Sequence, residues 1–274
     1  VTEAISSNFK DGVIAHNHEN SRDLSVSVNS VTAYEDGLVL FNEGIGATKV
    51  TAFESIRGGQ FGNQDQTVDA DGLHVENYEF TTDLIINTKN VIGIDEGILA
   101  INEGTGILSI QVDGSVESTG IAVNDEIPFR NGIYASNYGS SLTVSVSDNV
   151  ISNFDGVYAL NSGFGDTEIN VNGDIKALNG EGVKARIYES SDSLVISAHN
   201  IEAEGNGIYV DNEGFGTSAI TVSGKIEAKG NNTEDAEGIH VTGAVSNVIV
   251  LSTANVIGAS EGIETTWIDD EVTV

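Results

Sequence analysis

Residues 206 to 228 read Asn206-Gly207-Ile208-Tyr209-Val210-Asp211-Asn212-Glu213-Gly214-Phe215-Gly216-Thr217-Ser218-Ala219-Ile220-Thr221-Val222-Ser223-Gly224-Lys225-Ile226-Glu227-Ala228. Ile208 and Val210 alternate with other residues, Ile220 and Val222 do the same, and a lone Ile226 follows. Apolar residues two apart mark strands that turn one face to a core. The stretch therefore holds two strands and a short third, parted by turns rich in glycine. Three strands and three corners make one coil of a solenoid.

Working outward, the same text recurs along the whole chain. A glycine preceded by an acidic residue or Asn stands at Gly12, Gly37, Gly72, Gly97, Gly132, Gly156, Gly182, Gly207, Gly238 and Gly262, at intervals of 25, 35, 25, 35, 24, 26, 25, 31 and 24. The base period is about 25, and the three longer intervals carry inserts at residues 57–70, 119–131 and 230–237. The residue after each glycine is aliphatic: Val13, Leu38, Leu73, Ile98, Ile133, Val157, Val183, Ile208, Ile239 and Ile263. In most coils a second strand follows, as at Leu24-Val26-Val28, Leu108-Ile110-Val112 and Leu142-Val144-Val146. A lone aliphatic then stands 18 or 19 residues after the glycine, from Val31 and Ile56 to Ile226 and Val256.

Units that cannot bury their apolar face alone do so by stacking on their neighbours. The pattern predicts an all-β fold, a single-stranded right-handed parallel β-helix (β-solenoid) of about ten coils with three strands per coil, spanning residues 1–274 as one domain. Ten coils at the interstrand spacing give a rod of about 48 Å. Helix-period patterns are nearly absent, and Pro128 is the only proline. Glycine is expected to supply positive-φ corners. A propeller needs four strands in a longer repeat, and a leucine-rich repeat needs a Leu/Asn consensus that is missing.

Five residues after the glycine stand Asn17, Asn42, Asn77, Asn102, Asn137, Asn161 and Asn212. Side-chain amides stacked from coil to coil can bond one another and satisfy corner backbone groups, so these are expected to form a structural ladder. A longer rhythm lies over the first. The coils at Gly37, Gly97, Gly156 and Gly207 share Asn-x-Gly-x-Gly, and all three inserts follow coils of this kind, so they should leave the rod at one corner.

Lys and Arg total 11 against 42 Asp and Glu, a formal charge of −31. Such a surface repels phosphate-rich partners, which excludes nucleic acid. There is no cysteine, so disulfides and Cys-ligated zinc are excluded. No apolar run approaches the roughly 18 to 20 residues that span a bilayer, so no direct membrane insertion is expected. The chain opens on Val1 without any methionine, and its end segments Val1–Lys10 and Thr265–Val274 are short covers for strand edges. It is therefore read as part of a longer chain or of an end-to-end assembly.

The strings Asn206 to Thr217 and Ile220 to Ala228 resemble, in rhythm and composition, the β-helical passenger regions of bacterial autotransporter-type surface adhesins. The resemblance covers nearly the whole chain. It implies an extracellular or cell-surface rod used for adhesion or surface coating, and it carries no catalytic residues across.

A carbohydrate-active lyase or hydrolase is the enzymatic alternative on this architecture, and needs clustered carboxylates or calcium carboxylates with a base. Here Arg22, Arg57, Arg130 and Arg186 are scattered, and Asp269-Asp270 lies in the final tail. Of the five histidines only His16 and His18 are close together, without the other spacings of a metal site. The Gly-x-Gly corners precede no helix or Gly-Lys-Ser/Thr, so turn geometry accounts for them better than phosphate binding. No cofactor is expected, with calcium the one possibility weighed. Asp11, Asp36, Asp71, Glu96, Asp155, Glu181, Glu237 and Glu261 precede corner glycines and should stack along one edge. Their side chains are expected to splay into solvent, Asp-Gly being good turn chemistry, with Asp11, Asp36, Asp71 and Glu96 as calcium candidates.

The outward positions of the first strand are apolar where a solvated face should be polar: Val39 and Phe41, Leu99 and Ile101, Tyr158 and Leu160, with Ile14, Tyr134 and Tyr209 alongside. Such a strip implies a cover, either the inserts or a partner. The expected function is non-enzymatic, structural or adhesive, with contacts made by the inserts and the adjoining face. Candidate contact residues are Phe61, Asn63, Asp65, Asp125, Phe129, Arg130, Asn232 and Glu234. The partners expected are a host or neighbouring-cell surface molecule, a glycan, or other copies of the chain, the last making it a self-assembling filament or surface-layer subunit.

Overall fold

The computed structural model describes residues 3–59, 70–120, 130–230, 236–243, 247–252, 255–266 and 271–273. Among them, the alternating apolar segments form three ten-stranded sheets, all parallel. The first sheet runs from Ala4–Ser6 to Val256–Ile257, and the third from Leu24–Val28 to Glu271–Thr273. The second comprises Val13–Asn17, Leu38–Asn42, Leu73–Asn77, Ile98–Asn102, Ile133–Asn137, Val157–Asn161, Val183–Ile187, Ile208–Asn212, Ile239–Thr242 and Ile263–Thr266. The chain visits the sheets in rotation and returns one strand further on, so it winds as a right-handed parallel β-helix of ten coils. No helix among the described residues is long and apolar enough to cross a membrane.

Register follows the repeat. Ile98 stands between Leu73 and Ile133, and Ala100 between Val75 and Ala135. Equivalent residues thus stack in columns, and a one-residue slip would turn every aliphatic outward. Leu38, Ile56, Leu84, Ile110, Ile133 and Ile169 are fully buried in one continuous core. Each such side chain contributes roughly 1.5–3 kcal/mol by leaving water.

Three details differ from the sequence expectation. The first coil begins earlier than Gly12, because Ile5 places Ala4–Ser6 beside Ser30–Thr32 in the first sheet. The second coil also has its third-sheet strand, Thr48–Ala52, whose Thr48 is fully buried because its hydroxyl is bonded. The corner glycines are not positive-φ residues; among the described glycines only Gly59, Gly165, Gly230 and Gly243 have positive φ. They are required by close approach. A Cβ on Gly37 would lie 2.5 Å from the Gly72 carbonyl oxygen and 2.6 Å from Ile56 Cγ2.

Each of the three inserts connects a first-sheet strand to a second-sheet strand, so all leave at the same corner. The described residues at their bases are tied down by backbone bonds. Gly58 N–H donates to the Ile92 carbonyl at 3.0 Å, Gly120 N–H to that of Ile94 at 2.8 Å, and Gly230 N–H to that of Glu204 at 3.0 Å.

Candidate functional site

The insert corner carries the acidic column, and Asp11, Asp36, Asp71 and Asp155 turn onto the backbone rather than splaying into solvent, whereas Glu261 at the end of the column is exposed. Asp11 Oδ1 accepts the Asp36 N–H at 3.1 Å, Asp36 Oδ1 that of Asp71 at 2.7 Å, and Asp71 Oδ1 that of Glu96 at 3.0 Å. Asp155 Oδ1 accepts the Glu181 N–H at 2.8 Å, and Asn206 Oδ1 the Glu237 N–H at 2.8 Å. Each side chain satisfies an amide of the following coil that no strand partner reaches. Asp71 and Asp155, which cap in this way, are buried, and so are Glu96 and Glu237, whose amides receive such a cap. Of the four calcium candidates, Asp11, Asp36 and Asp71 have one oxygen committed to the backbone, and Asp71 Oδ2 also lies 3.4 Å from His74 Nδ1.

Two of these carboxylates resist ionisation. Burial first, and then the charges of Asp71 and Asp11, push the Asp36 carboxyl up to about 7 despite its backbone bond. Burial likewise raises Asp155, reinforced by the neighbouring Glu181 carboxylate. Lys184 answers this second pair, its Nζ 3.7 Å from Asp155 Oδ2 and 3.4 Å from Glu181 Oε2. Burial alone would lower His74, but its hydrogen bonds to the Asp71 and Glu76 carboxylates override this and hold the imidazole up at about 10.

Outside this column lies the outer face of the second sheet. Val39 is 6 % exposed, Phe41, Leu99, Ile101, Tyr158 and Leu160 are half-buried, and Ile14 in the first coil is 64 % exposed. Tyr134 meets Tyr158 edge-on at 5.3 Å, and Lys184 Nζ stands 5.3 Å from the Tyr158 ring centre. Arg186 Nε is 3.9 Å from Asp211 Oδ2. The strip is thus apolar and aromatic, interrupted by ionic groups around His74, Lys184 and His240.

At the next corner, between the second and third sheets, six of the seven asparagines are buried, Asn17 being partly exposed. Asn17 Nδ2 donates to Asn42 Oδ1 at 2.8 Å, Asn77 to Asn102 at 3.2 Å, Asn102 to Asn137 at 3.0 Å and Asn137 to Asn161 at 3.1 Å. Between Asn42 and Asn77 the Thr48 hydroxyl relays the chain, accepting from Asn42 at 2.9 Å and donating to Asn77 at 2.5 Å. Ile187 follows Asn161 in the seventh coil and interrupts the ladder, so Asn161 donates to Thr167, as Asn212 does to Ser218.

Aromatic and aliphatic side chains project from this corner, outside the amide ladder. Phe80, Phe164 and Phe215 are 69 %, 75 % and 79 % exposed, and Ile45, Tyr138 and Tyr188 are exposed beside them. Sequence reading by strand faces missed this row. Its signal was a Tyr six residues after the corner glycine in one set of coils, and a Phe or Ile eight after it in another.

Of the contact residues expected from sequence, Phe61, Asn63, Asp65, Asp125, Phe129, Asn232 and Glu234 lie outside the described residues, as do the insert residues expected to cover the strip. Arg130 is described, and it is not on the surface: it is 3 % exposed, with Nε 3.4 Å from Asp95 Oδ1, at the base of the second insert. A desolvated guanidinium needs an anionic partner, which draws it inward. Two groups could hold a metal ion among the described residues: His16, His18 and Glu43, and Glu237, His240 and Glu264.

No family model, curated protein or solved structure matches this chain.

Proposed function

We propose that this chain is a non-enzymatic β-helical rod of the cell surface or extracellular space, with a structural or adhesive role. The observation that carries the reading is the row of exposed aromatics at the corner between the second and third sheets, led by Phe80, Phe164 and Phe215. Large apolar groups in water mark contact surfaces when they recur in one place. These recur on a corner held from behind by buried amide ladders, which is rigid scaffolding for a contact loop. The inserts at residues 57–70, 119–131 and 230–237 and the adjoining apolar face of the second sheet form the second contact region in this proposal. A charge of −31 favours neutral or cationic partners such as an uncharged glycan or a basic protein surface.

A carbohydrate-active role is the second reading, and one observation favours it. Asp155 and Glu181 place two carboxyl groups 3.7 and 3.4 Å from Lys184 Nζ, beside Tyr158, with burial raising Asp155 while Glu181 is lowered. Against it, Asp155 is 1 % exposed and one of its oxygens serves the Glu181 amide.

Incubation of the purified chain with immobilised neutral and charged polysaccharides, followed by mass analysis of the released sugars, separates the two. Retention on a surface without new fragments is the expected result. Fragments that disappear in Asp155→Asn would establish the enzyme instead.

A further inference from the structure

We propose that His16, His18 and Glu43 bind a divalent transition-metal ion of the zinc class, which clips the first coil to the second. The register brings the three together. His16 pairs with Phe41 and Asn17 with Asn42, so His18, one residue beyond the strand, arrives opposite Glu43. His16 Nε2 lies 3.2 Å and His18 Nδ1 3.9 Å from the same oxygen, Oε2 of Glu43. The two imidazoles are 4.3 Å apart between ring centres. One donor atom from each of the three residues lies within 4.8 Å of the others. Zinc bonds of about 2.0–2.2 Å in a tetrahedron place neighbouring ligand atoms about 3.3 Å apart, so small side-chain rotations close the site.

The surroundings hold these donors in place. The Phe41 ring packs edge-on to His16, at 6.1 Å and 74°. The turn after His18 is fixed by the Ser21 N–H donating to the His18 carbonyl at 3.1 Å. Two imidazole nitrogens and one carboxylate suit zinc, whereas calcium takes oxygen ligands. The side chains are 39 %, 76 % and 39 % exposed for His16, His18 and Glu43, which leaves a fourth position open to water. The strongly acidic surface concentrates cations around all of it.

The site has work to do in the first coil. Val13, Ala15, Leu24 and Val26 are only partly buried, whereas Leu38, Leu40 and Val50 of the second coil are fully buried. Two ligands from the first coil and one from the second make metal binding and docking of that coil a single equilibrium. Glu237, His240 and Glu264 form the built-in comparison, with one nitrogen donor instead of two and with Glu237 Oε1 already accepting the Ser260 hydroxyl at 3.0 Å.

The full chain is titrated with Zn2+ alone by calorimetry, and hydrogen exchange of residues 13–28 is followed with and without the ion. The expected result is a binding step that His18→Ala and Glu43→Gln each weaken at least tenfold and that His240→Ala leaves unchanged. Exchange of residues 13–28 should slow with Zn2+ in the wild type and not in His18→Ala, whose exposed side chain can be removed without unfolding, as circular dichroism checks. No binding up to millimolar Zn2+, binding that survives in His18→Ala, or unchanged exchange at saturation would overturn the proposal.

Discussion

Oδ1 of Asp36 accepts the backbone N–H of Asp71 at 2.7 Å, one coil further along the rod. The same bond joins Asp11 to Asp36, Asp71 to Glu96 and Asp155 to Glu181. The acidic corner is therefore a backbone-capping device that carries a charge it does not need. An amide of the same shape would cap as well, as Asn206 does for Glu237.

The charge has a pH signature. Asp36 is held at about 7, above its ordinary 3.8, by burial and by Asp71 and Asp11, with His74 opposing. A folded-state value above the unfolded one means that the protonated form favours folding. The contribution is fully present below about 4 and lost as pH rises through about 7. Asp36→Asn keeps the acceptor and removes the charge. It should be more stable than wild type at pH 8 by on the order of 1 kcal/mol, reduced for partial exposure. The gain should vanish near pH 4, as thermal melts across that range would reveal.

The ladder makes a different demand. Asn137 accepts from Asn102 and from the Gly139 amide, and donates to Asn161 and to the Ser140 carbonyl, all while fully buried. Asn137→Ala strands these partners and should cost about 2–4 kcal/mol in urea unfolding. Asn17→Ala, at the partly exposed end of the ladder, should cost less than about 1 kcal/mol.

Close approach, and not φ, explains the corner glycines. A Cβ on Gly97 would stand 2.4 Å from Val116 Cγ1 and 2.6 Å from the Gly132 carbonyl oxygen, whereas on Gly262 the nearest atom is 3.3 Å away. Gly97→Ala should therefore lose about 3 kcal/mol, and Gly262→Ala should lie within about 0.5 kcal/mol of wild type. Equal effects in a denaturant titration would refute this reading of the corners.

The coil was legible because one face of each strand is aliphatic every second residue and because the corner glycine recurs, as Leu38, Leu73 and Ile98 after Gly37, Gly72 and Gly97 illustrate. Strand Thr48–Ala52 was harder to read, since its leading inward residue is a threonine accepted into the core through its bond to Asn42. The fate of the acids was not legible either. Whether Asp71 points to water or to the Glu96 amide depends on the offset between coils, which spacing alone does not give. For the same reason the pair His16 and His18 gained its third donor, Glu43, only when register placed the second coil beside the first. Arg130 read as a surface cation because nothing in the sequence marks Asp95 as its partner.

The aromatic corner tests the functional account most directly. The triple variant Phe80→Ala, Phe164→Ala and Phe215→Ala removes side chains that are 69 %, 75 % and 79 % exposed, so its melting temperature should match that of wild type. Retention of labelled protein is then measured on a panel of intact cells and neutral glycans. The account predicts that wild type is held on at least one surface and that the variant is held at least tenfold less. A variant that keeps its melting temperature and binds as well as wild type would contradict it.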